Sequence, residues 1–176
     1  MIKFFSEILG SEVLIKQERL RGGKITSIII NPDDGTFLGI LTDSYPGKKT
    51  AIPASEITGF GDGIALVNSI DSLGEPDDII RIKTALGKKT KIIGQKVFTE
   101  SGQKLGKCIN ATLNLRYQKL DKIYVTPKAY ISFLATDLII SAKNIIEIKA
   151  DRIIVSDEFA KVRAAQLAPK VSPVAE

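Results

Sequence analysis

Residues 92–97 read IIGQKV, and residues 8–13, which lie 84 positions earlier, read ILGSEV. A second similarity follows, because residues 106–111 read GKCINA and residues 23–28, 83 positions earlier, read GKITSI. The order of similar segments is kept further along the chain, although few identities remain. Two copies of a unit of about 70–80 residues therefore explain the length of 176 residues better than one large domain.

The composition of both copies favours strands. Isoleucine dominates the apolar residues with 27 copies, and β-branched side chains suit the pleated surface of a strand. Turn signals separate the short apolar runs, among them NPDDG at residues 31–35 and GDG at residues 61–63. These patterns predict strands over residues 13–16, 24–31, 36–42, 50–52, 56–60 and 64–67, and again over 95–99, 105–115, 118–126, 137–141, 145–149 and 152–155.

The isoleucines at residues 28–30 are apolar on both faces of their strand. We therefore expect one face in a closed interior and the other against a helix or the second unit. Small units of five or six bent strands remove their free edges by closing. The prediction is a mainly β fold with two small barrels in tandem, each around its own isoleucine-rich interior. The two barrels should pack together, because each is near the lower size limit for a stable core.

A short helix is predicted between the two units. Asp77 or Asp78 is a suitable N-cap, and Ile79, Ile82 and Leu86 recur at helical spacing. The helix should end at the glycine at position 87, since glycine commonly terminates helices.

A second short helix is predicted after the last strand, where Val155, Phe159 and Val162 share one helical face and Pro169 stops the helix. A frayed tail is expected from Lys170 onward. The predicted organisation is unit one at residues 1–75, a linker with a helix at 76–91, unit two at 92–155, and a helix with a tail at 156–176.

The composition argues against most active sites. The chain has no His and one Cys, so imidazole bases, imidazole metal ligands, disulfides and cysteine-rich clusters are excluded. The glycines near position 102 and the GKKT at 87–90 lack phosphate-loop spacing, and the acidic pairs at 33–34 and 77–78 suit turns and caps. Cys108 is expected to be a buried, inert thiol. We expect no enzyme, no catalytic residue, no metal, no cofactor and no small-molecule substrate.

The charge is unevenly distributed. Residues 1–83 carry a net charge of −3 and residues 84–155 a net charge of +8. Tyrosines 117, 124 and 130 are interleaved with lysines in the basic half, a pattern that suits phosphate contact and base stacking, or simply solvated strands with tyrosines closing a barrel. The candidate anion- or RNA-binding residues are Lys88, Lys89, Lys91, Lys104, Lys107, Lys119 and Lys122.

Residues 92–107, which read IIGQKVFTESGQKLGK, resemble the opening of a PRC-barrel domain. The pattern is an apolar pair, Gly, Lys and Val, followed by a Gly-x-x-Leu-Gly turn into a long strand, and Gly94, Val97, Gly102, Leu105 and Gly106 match it. The first copy matches less well, because Arg-Gly at 21–22 stands where Leu-Gly is expected. The family includes the cytoplasmic domain of the photosynthetic reaction-centre H subunit and the C-terminal domain of a ribosome maturation factor. The resemblance implies a small β-barrel that acts as a binding or assembly module, without family-wide catalytic residues.

The leading functional expectation is a non-catalytic adaptor or assembly module that binds another protein. The alternative is an RNA- or ribosome-associated factor that uses the basic second barrel. Attachment to an anionic membrane surface is the weakest candidate, since no apolar anchor is evident. A cytoplasmic location is expected, because no run reaches the roughly 18 apolar residues of a membrane span and the single Cys fits a reducing compartment.

Overall fold

A computed structural model describes residues 1–43, 50–127 and 136–167, with side chains up to residue 162. The protein is mainly β, with two sheets, one of which curls into a half-barrel. Three sequence features lie outside the described residues: the predicted turn at 44–47, Lys128 with Tyr130, and the tail from residue 170.

The first copy contains six strands in its sheet, preceded by a short strand and a short helix. These elements are β1 (Ile2–Phe4), α1 (Phe5–Ile8), β2 (Glu12–Ile15), β3 (Leu20–Ile30), β4 (Phe37–Thr42), β5 (Thr50–Pro53), β6 (Ile57–Gly61) and β7 (Ile64–Val67). The linker and the second copy contain α2 (Ile80–Gly87), β8 (Lys96–Thr99), β9 (Lys104–Asn114), β10 (Lys119–Thr126), β11 (Leu138–Ser141), β12 (Ile145–Ile148), β13 (Arg152–Val155) and α3 (Glu158–Leu167).

The two sheets have the same topology, which confirms the internal repeat. The strand orders are β5-β4-β3-β2-β7-β6 and β11-β10-β9-β8-β13-β12. In both sheets the first strand of the unit pairs in parallel with the last, and every other neighbouring pair is antiparallel. We call the two copies unit 1 and unit 2.

The offsets read from the sequence hold in the hydrogen bonds. Gly10 donates its backbone N–H to the carbonyl oxygen of Ile25, and Gly94 donates in the same way to Cys108, both at 2.8 Å. Both glycines have positive φ, at 83° and 86°, which explains why glycine recurs at this point of each unit. From β5 and its counterpart β11 onward the offset is 88: Ile52 lies opposite Ile40 as Ile140 lies opposite Ile123, and Ile64 and Arg152 occupy the same register.

One expectation is wrong: the units do not enclose separate interiors. A single continuous cluster of buried side chains runs through both, from Ile25, Ile40 and Ile52 in unit 1 to Ile123 and Ile140 in unit 2. In addition, among the described residues neither strand path closes by hydrogen bonds, with β5 and β6 at the two ends of one path and β11 and β12 at the ends of the other. Because the open sides face a common interior, the two sheets bury their apolar faces against each other, as the expected packing of the units requires.

The N-terminal residues 2–4, which the sequence placed in unit 1 without predicting a strand there, form β1 and do not join the sheet of unit 1. It pairs antiparallel with β9 of unit 2, with Ile2 opposite Asn114 and Phe4 opposite Thr112. Phe5 and Ile8 of α1 are buried in the common core. The N-terminal segment therefore links the units, an arrangement that local sequence patterns do not encode.

The linker helix confirms the prediction for the isoleucines at 28–30. Ile82 of α2 is fully buried in a second cluster with Ile29, Leu41 and Ala85, on the outer face of the unit 1 sheet. The buried face of α2 differs from the predicted one at one position, because Ala85 packs on the sheet whereas Leu86 is partly exposed. The predicted acidic N-cap is also wrong, because the N-cap position is Ile79 and no side chain caps the helix.

The C-terminal helix lies within the predicted segment 156–176, where it begins at Glu158 and ends at Leu167, before the proline. Phe159 packs against the common core, whereas Val162, predicted to share its helical face, is exposed. The carboxylate of Asp157 accepts a hydrogen bond from the backbone N–H of Ser101 at 2.9 Å, which fixes the start of the helix and lowers the pKa of Asp157.

Gly106 is required by close backbone approach, and its replacement provides a test of the fold. A Cβ atom there would lie 2.0 Å from the carbonyl oxygen of Thr126, and φ is 152°. We expect Gly106→Ala to lower the free energy of unfolding by about 3 kcal/mol or more in urea denaturation. Gly61→Ala is the control, because its Cβ meets nothing within 4 Å, and it should change stability by less than about 1 kcal/mol. Equal effects of the two substitutions would contradict the described strand packing.

The common core predicts that unit 1 does not fold alone. Residues 1–75 lack β9, on which β1 pairs, and every unit 2 side chain of the common core. We expect this fragment to show no cooperative thermal transition by circular dichroism. A second fragment, residues 1–91, restores α2 but not unit 2 and should behave similarly. A transition in either fragment as sharp as that of the full chain would argue for independent domains.

Candidate functional site

The junction of the units is an antiparallel contact between two equivalent hairpins. Thr36 pairs with Lys119, its own counterpart 83 positions later. Phe37 donates its backbone N–H to Gln118, and Leu120 donates to Gly35, each at 2.8 Å. Because each of these bonds is the image of the other, the units are related by an internal two-fold axis between Thr36 and Lys119.

The hairpin turns repeat the same local chemistry. The side-chain oxygen of Asn31 accepts the N–H of Asp33 at 3.3 Å, and that of Asn114 accepts the N–H of Arg116 at 3.1 Å. Asn favours such turns because its side chain bonds the backbone two residues on. Both turns end on a residue with positive φ in the position before the junction pair, and the turn geometry therefore presents Phe37 and Leu120 to the junction in the same way.

A cleft of about 310 Å³ opens on one side of this junction, and we call it groove A. It lies between the β9–β10 turn of unit 2 and strand β6 of unit 1. Its lining is mostly apolar, with one charged side chain: Met1, Phe37, Ala54, Ile57, Thr58, Gly59, Phe60, Leu115, Arg116 and Gln118. Strand β6 ends its sheet, so one edge of its backbone faces away from β7. Groove A thus combines an apolar floor, a strand edge and one guanidinium.

The internal two-fold axis places a related cleft, groove B, on the opposite side. The offsets of 83 and 88 carry Phe37 to Leu120 and Ile57 to Ile145, which both line their respective clefts. The charged positions differ, because Arg116 corresponds to Asp33 and Gly59 corresponds to Glu147. Groove A therefore has one charged side chain in its lining, whereas groove B has five. Those of groove B are Asp33, Asp34, Lys119, Lys143 and Glu147.

Two of the sequence-predicted lysines are engaged in ion pairs at groove B. Lys119 lies 3.8 Å from a carboxylate oxygen of Asp34, and Lys88 pairs with Asp33. The hydroxyl of Thr36 donates to Asp34 at 2.7 Å and is the main cause of the lowered pKa of Asp34, with its backbone N–H and Lys119 acting in the same direction. These two lysines therefore neutralise the acidic turn of unit 1.

The other predicted lysines do not gather into one surface. Lys104 and Lys107 lie at the beginning of β9, where Lys107 is opposite Lys96 on β8. Lys119 is opposite Asn114, ten residues after Lys104 on β9, which at ~3.3 Å per residue separates the two ends by about 33 Å. The remaining members are Lys89 and Lys91 in the linker and Lys122 in β10, and all three are exposed.

The acidic side chains, the single cysteine and the helices bear on metal binding, thiol chemistry and membrane insertion. Within the described ranges, His, Cys, Asp and Glu side chains form no group of three suited to a metal ion. Cys108 is fully buried, as expected, and burial raises the pKa of its thiol to about 12. Among the described residues, no helix has the length and apolar character needed to cross a membrane.

Comparison with known proteins leaves the family open. No family model matches the chain. No curated protein matches it either.

Sequence reasoning missed groove A. Its residues come from the N-terminus, β4, β6 and the β9–β10 turn, which are far apart in the chain. One signal was available: after alignment of the two copies, an Arg in one turn stands opposite an Asp in the other. That difference marks the two turns as chemically distinct surfaces on the same backbone.

The buried thiol gives a direct test of the described core. At pH 8 a thiol with a pKa of about 12 is almost entirely protonated, and it has no access to solvent. We expect the folded protein to resist a thiol-specific chromogenic disulfide for hours, whereas the chain in guanidinium chloride should release one equivalent promptly. Rapid reaction of the native protein would place Cys108 at the surface and contradict the packing of β9.

Proposed function

We propose that this protein is a non-catalytic adaptor of the tandem PRC-barrel type, acting in the cytoplasm, and that groove A binds an extended segment of a partner protein. The observation that carries the proposal is groove A itself, an apolar cleft beside a strand edge, with Arg116 as the one charged residue of its lining. Apolar side chains of a partner supply affinity in such a cleft, and a neighbouring strand edge supplies main-chain hydrogen bonds.

Charge complementarity indicates an acidic residue in the bound segment. In the described part of the chain, Arg116 has no acidic partner, and its guanidinium lies 5.7 Å from the centre of the exposed ring of Tyr117. An exposed guanidinium beside an aromatic ring can still bind a carboxylate in a bidentate fashion. Gly59 brings no side chain to this lining, and a Cβ there would meet Leu66 of the neighbouring strand at 3.8 Å.

RNA binding is the second candidate, and one observation favours it. Lys96 and Lys107 are direct cross-strand neighbours, and both are exposed. Two like charges at this spacing repel each other and are relieved by a bound anion. The separation of the other predicted lysines, and the ion pairs of Lys88 and Lys119, limit this surface to a few contacts.

The internal repeat provides a matched test of groove A. A photoreactive amino acid placed at Thr58 of the full chain, in living cells, should attach to a protein partner. The same replacement at Ile146, the equivalent position of groove B, should give much less adduct. Arg116→Glu should reduce the adduct from position 58 by about tenfold, because a carboxylate of the partner then meets a like charge.

Three results would count against the proposal. Equal protein adducts from the two positions would show that groove A has no special role. An adduct yield that Arg116→Glu leaves unchanged would show that no acidic residue of the partner contacts Arg116. Attachment to RNA at position 58, lost at high salt, would favour the second candidate.

A further inference from the structure

The outer face of the unit 1 sheet, directed away from the common core, carries a helix. Ile82 and Ala85 of α2 pack there on Ile29, Leu41 and Ala51, and Ile82 has no exposed surface. This arrangement shows that the outer face of one copy of the fold accepts an amphipathic helix. The two-fold axis generates an equivalent face on unit 2.

One end of the unit 2 face is polar and already covered. The offset of 83 carries Ile29 to Thr112 and Leu38 to Asp121. The hydroxyl of Thr112 donates to the carboxylate of Asp121 at 3.2 Å, and Phe4 of β1 lies opposite Thr112, which is buried. Strand β1 therefore lies beside this end of the face, hydrogen-bonded along β9, and is not stacked on the sheet as α2 is on unit 1.

The other end of the same face is apolar and open. Tyr124 and Ile139 are direct cross-strand neighbours, and they correspond to Leu41 and Ala51 of unit 1. Ile139 on β11 is 57% exposed, and Ile109 on β9, on the other side of β10, is 47% exposed. The ring of Phe4 lies 5.4 Å from that of Tyr124 and continues the surface. We call Phe4, Ile109, Tyr124 and Ile139 the outer patch.

Lysines flank the outer patch. Lys107 precedes the buried Cys108, and Lys122 precedes the buried Ile123, so strand alternation places both lysines on the outer face. In the described part of the chain, neither lysine lies within ion-pairing distance of a carboxylate. The surface thus combines an apolar centre with two lysines at its rim, and the carboxylate of Asp121 lies at its polar end.

We propose that the outer patch binds an amphipathic helix of a partner protein that has acidic residues beside its apolar stripe. A small residue of that helix faces Ile139, because the isoleucine fills space that Ala51 leaves free for Ile82 on unit 1. The inference rests on the proposed protein-binding function but uses a different surface from groove A. Substitutions in the outer patch therefore test this inference, and substitutions in groove A test the proposed function, independently of each other.

The test uses the full chain and two fluorescent helical peptides in anisotropy titrations. Both peptides carry the apolar pattern of α2 with alanine at the central position, one with glutamates and the other with lysines beside the stripe. We expect the glutamate peptide to bind the wild-type protein, and Ile139→Glu to weaken it by about tenfold or more. Ile80→Glu is the control, since Ile80 is 79% exposed on α2 and lies outside the patch, and it should leave the affinity unchanged.

A charge reversal tests the rim independently of the apolar centre. Lys122→Glu should weaken the glutamate peptide and strengthen the lysine peptide, whereas Lys16→Glu, at an exposed position of unit 1, should do neither. Ile139→Ala provides a milder variant, and thermal melts establish that every variant folds. Arg116→Glu should not change the affinity of the glutamate peptide. A negative result for groove A therefore does not bear on the outer patch.

Several outcomes would overturn the inference. The inference is wrong if the glutamate peptide does not bind, or if Ile139→Glu and Ile80→Glu weaken its binding equally. It is also wrong if the two peptides bind with equal affinity. Sedimentation that shows a dimer of the wild type, and a monomer of Ile139→Glu, would assign the patch to a second copy of the chain. Binding of a single-stranded oligouridylate that depends on Lys122 but not on Ile139 would assign the rim to RNA.

Discussion

The antiparallel contact between Thr36 and Lys119 is the constraint on which the rest of the structure depends. It joins equivalent hairpins by two backbone hydrogen bonds and so sets the internal two-fold relation of the sheets. The apolar faces of both open sheets then meet in one continuous core. A single unit of this size buries too little surface for stability, and sharing one interior solves this problem without enlarging either unit.

Duplication with a two-fold relation has a chemical consequence. Surface positions in the repeated strands and turns exist twice on a similar backbone, so a substitution in one copy creates a difference that the fold tolerates. At the junction, Arg116 faces one groove where Asp33 faces the other. On the outer faces, Ala51 lies under a helix whereas Ile139 is exposed. The two copies have therefore kept their hydrogen-bonding pattern while their exposed chemistry has diverged.

Elements governed by local chemistry were predictable. The hairpin at residues 61–63 follows from two glycines around an Asp, and in the structure Asp62 and Gly63 both have positive φ. Strand limits agree within a few residues, because turn residues mark them. The predicted lysine surface was not found, because lysines that are close together in the sequence can lie far apart on a long strand. Strand β9 separates Lys104 from Lys119 in this way. The N-cap of α2 also differed, because packing of Ile82 on the sheet, and not a capping side chain, positions that helix.

The sequence by itself determined the duplicated succession of strands along the chain, the turns that contain glycine, and the two-sided burial of the isoleucines at 28–30. These features depend on backbone conformation and on the alternation of side chains, which act over a few residues. Only the tertiary structure decided that the copies share one core, that β1 pairs with the sheet of unit 2, and that Arg116 meets β6 across a groove. Those contacts join residues that are far apart in the chain, and they form because two incomplete apolar surfaces are buried most fully against each other.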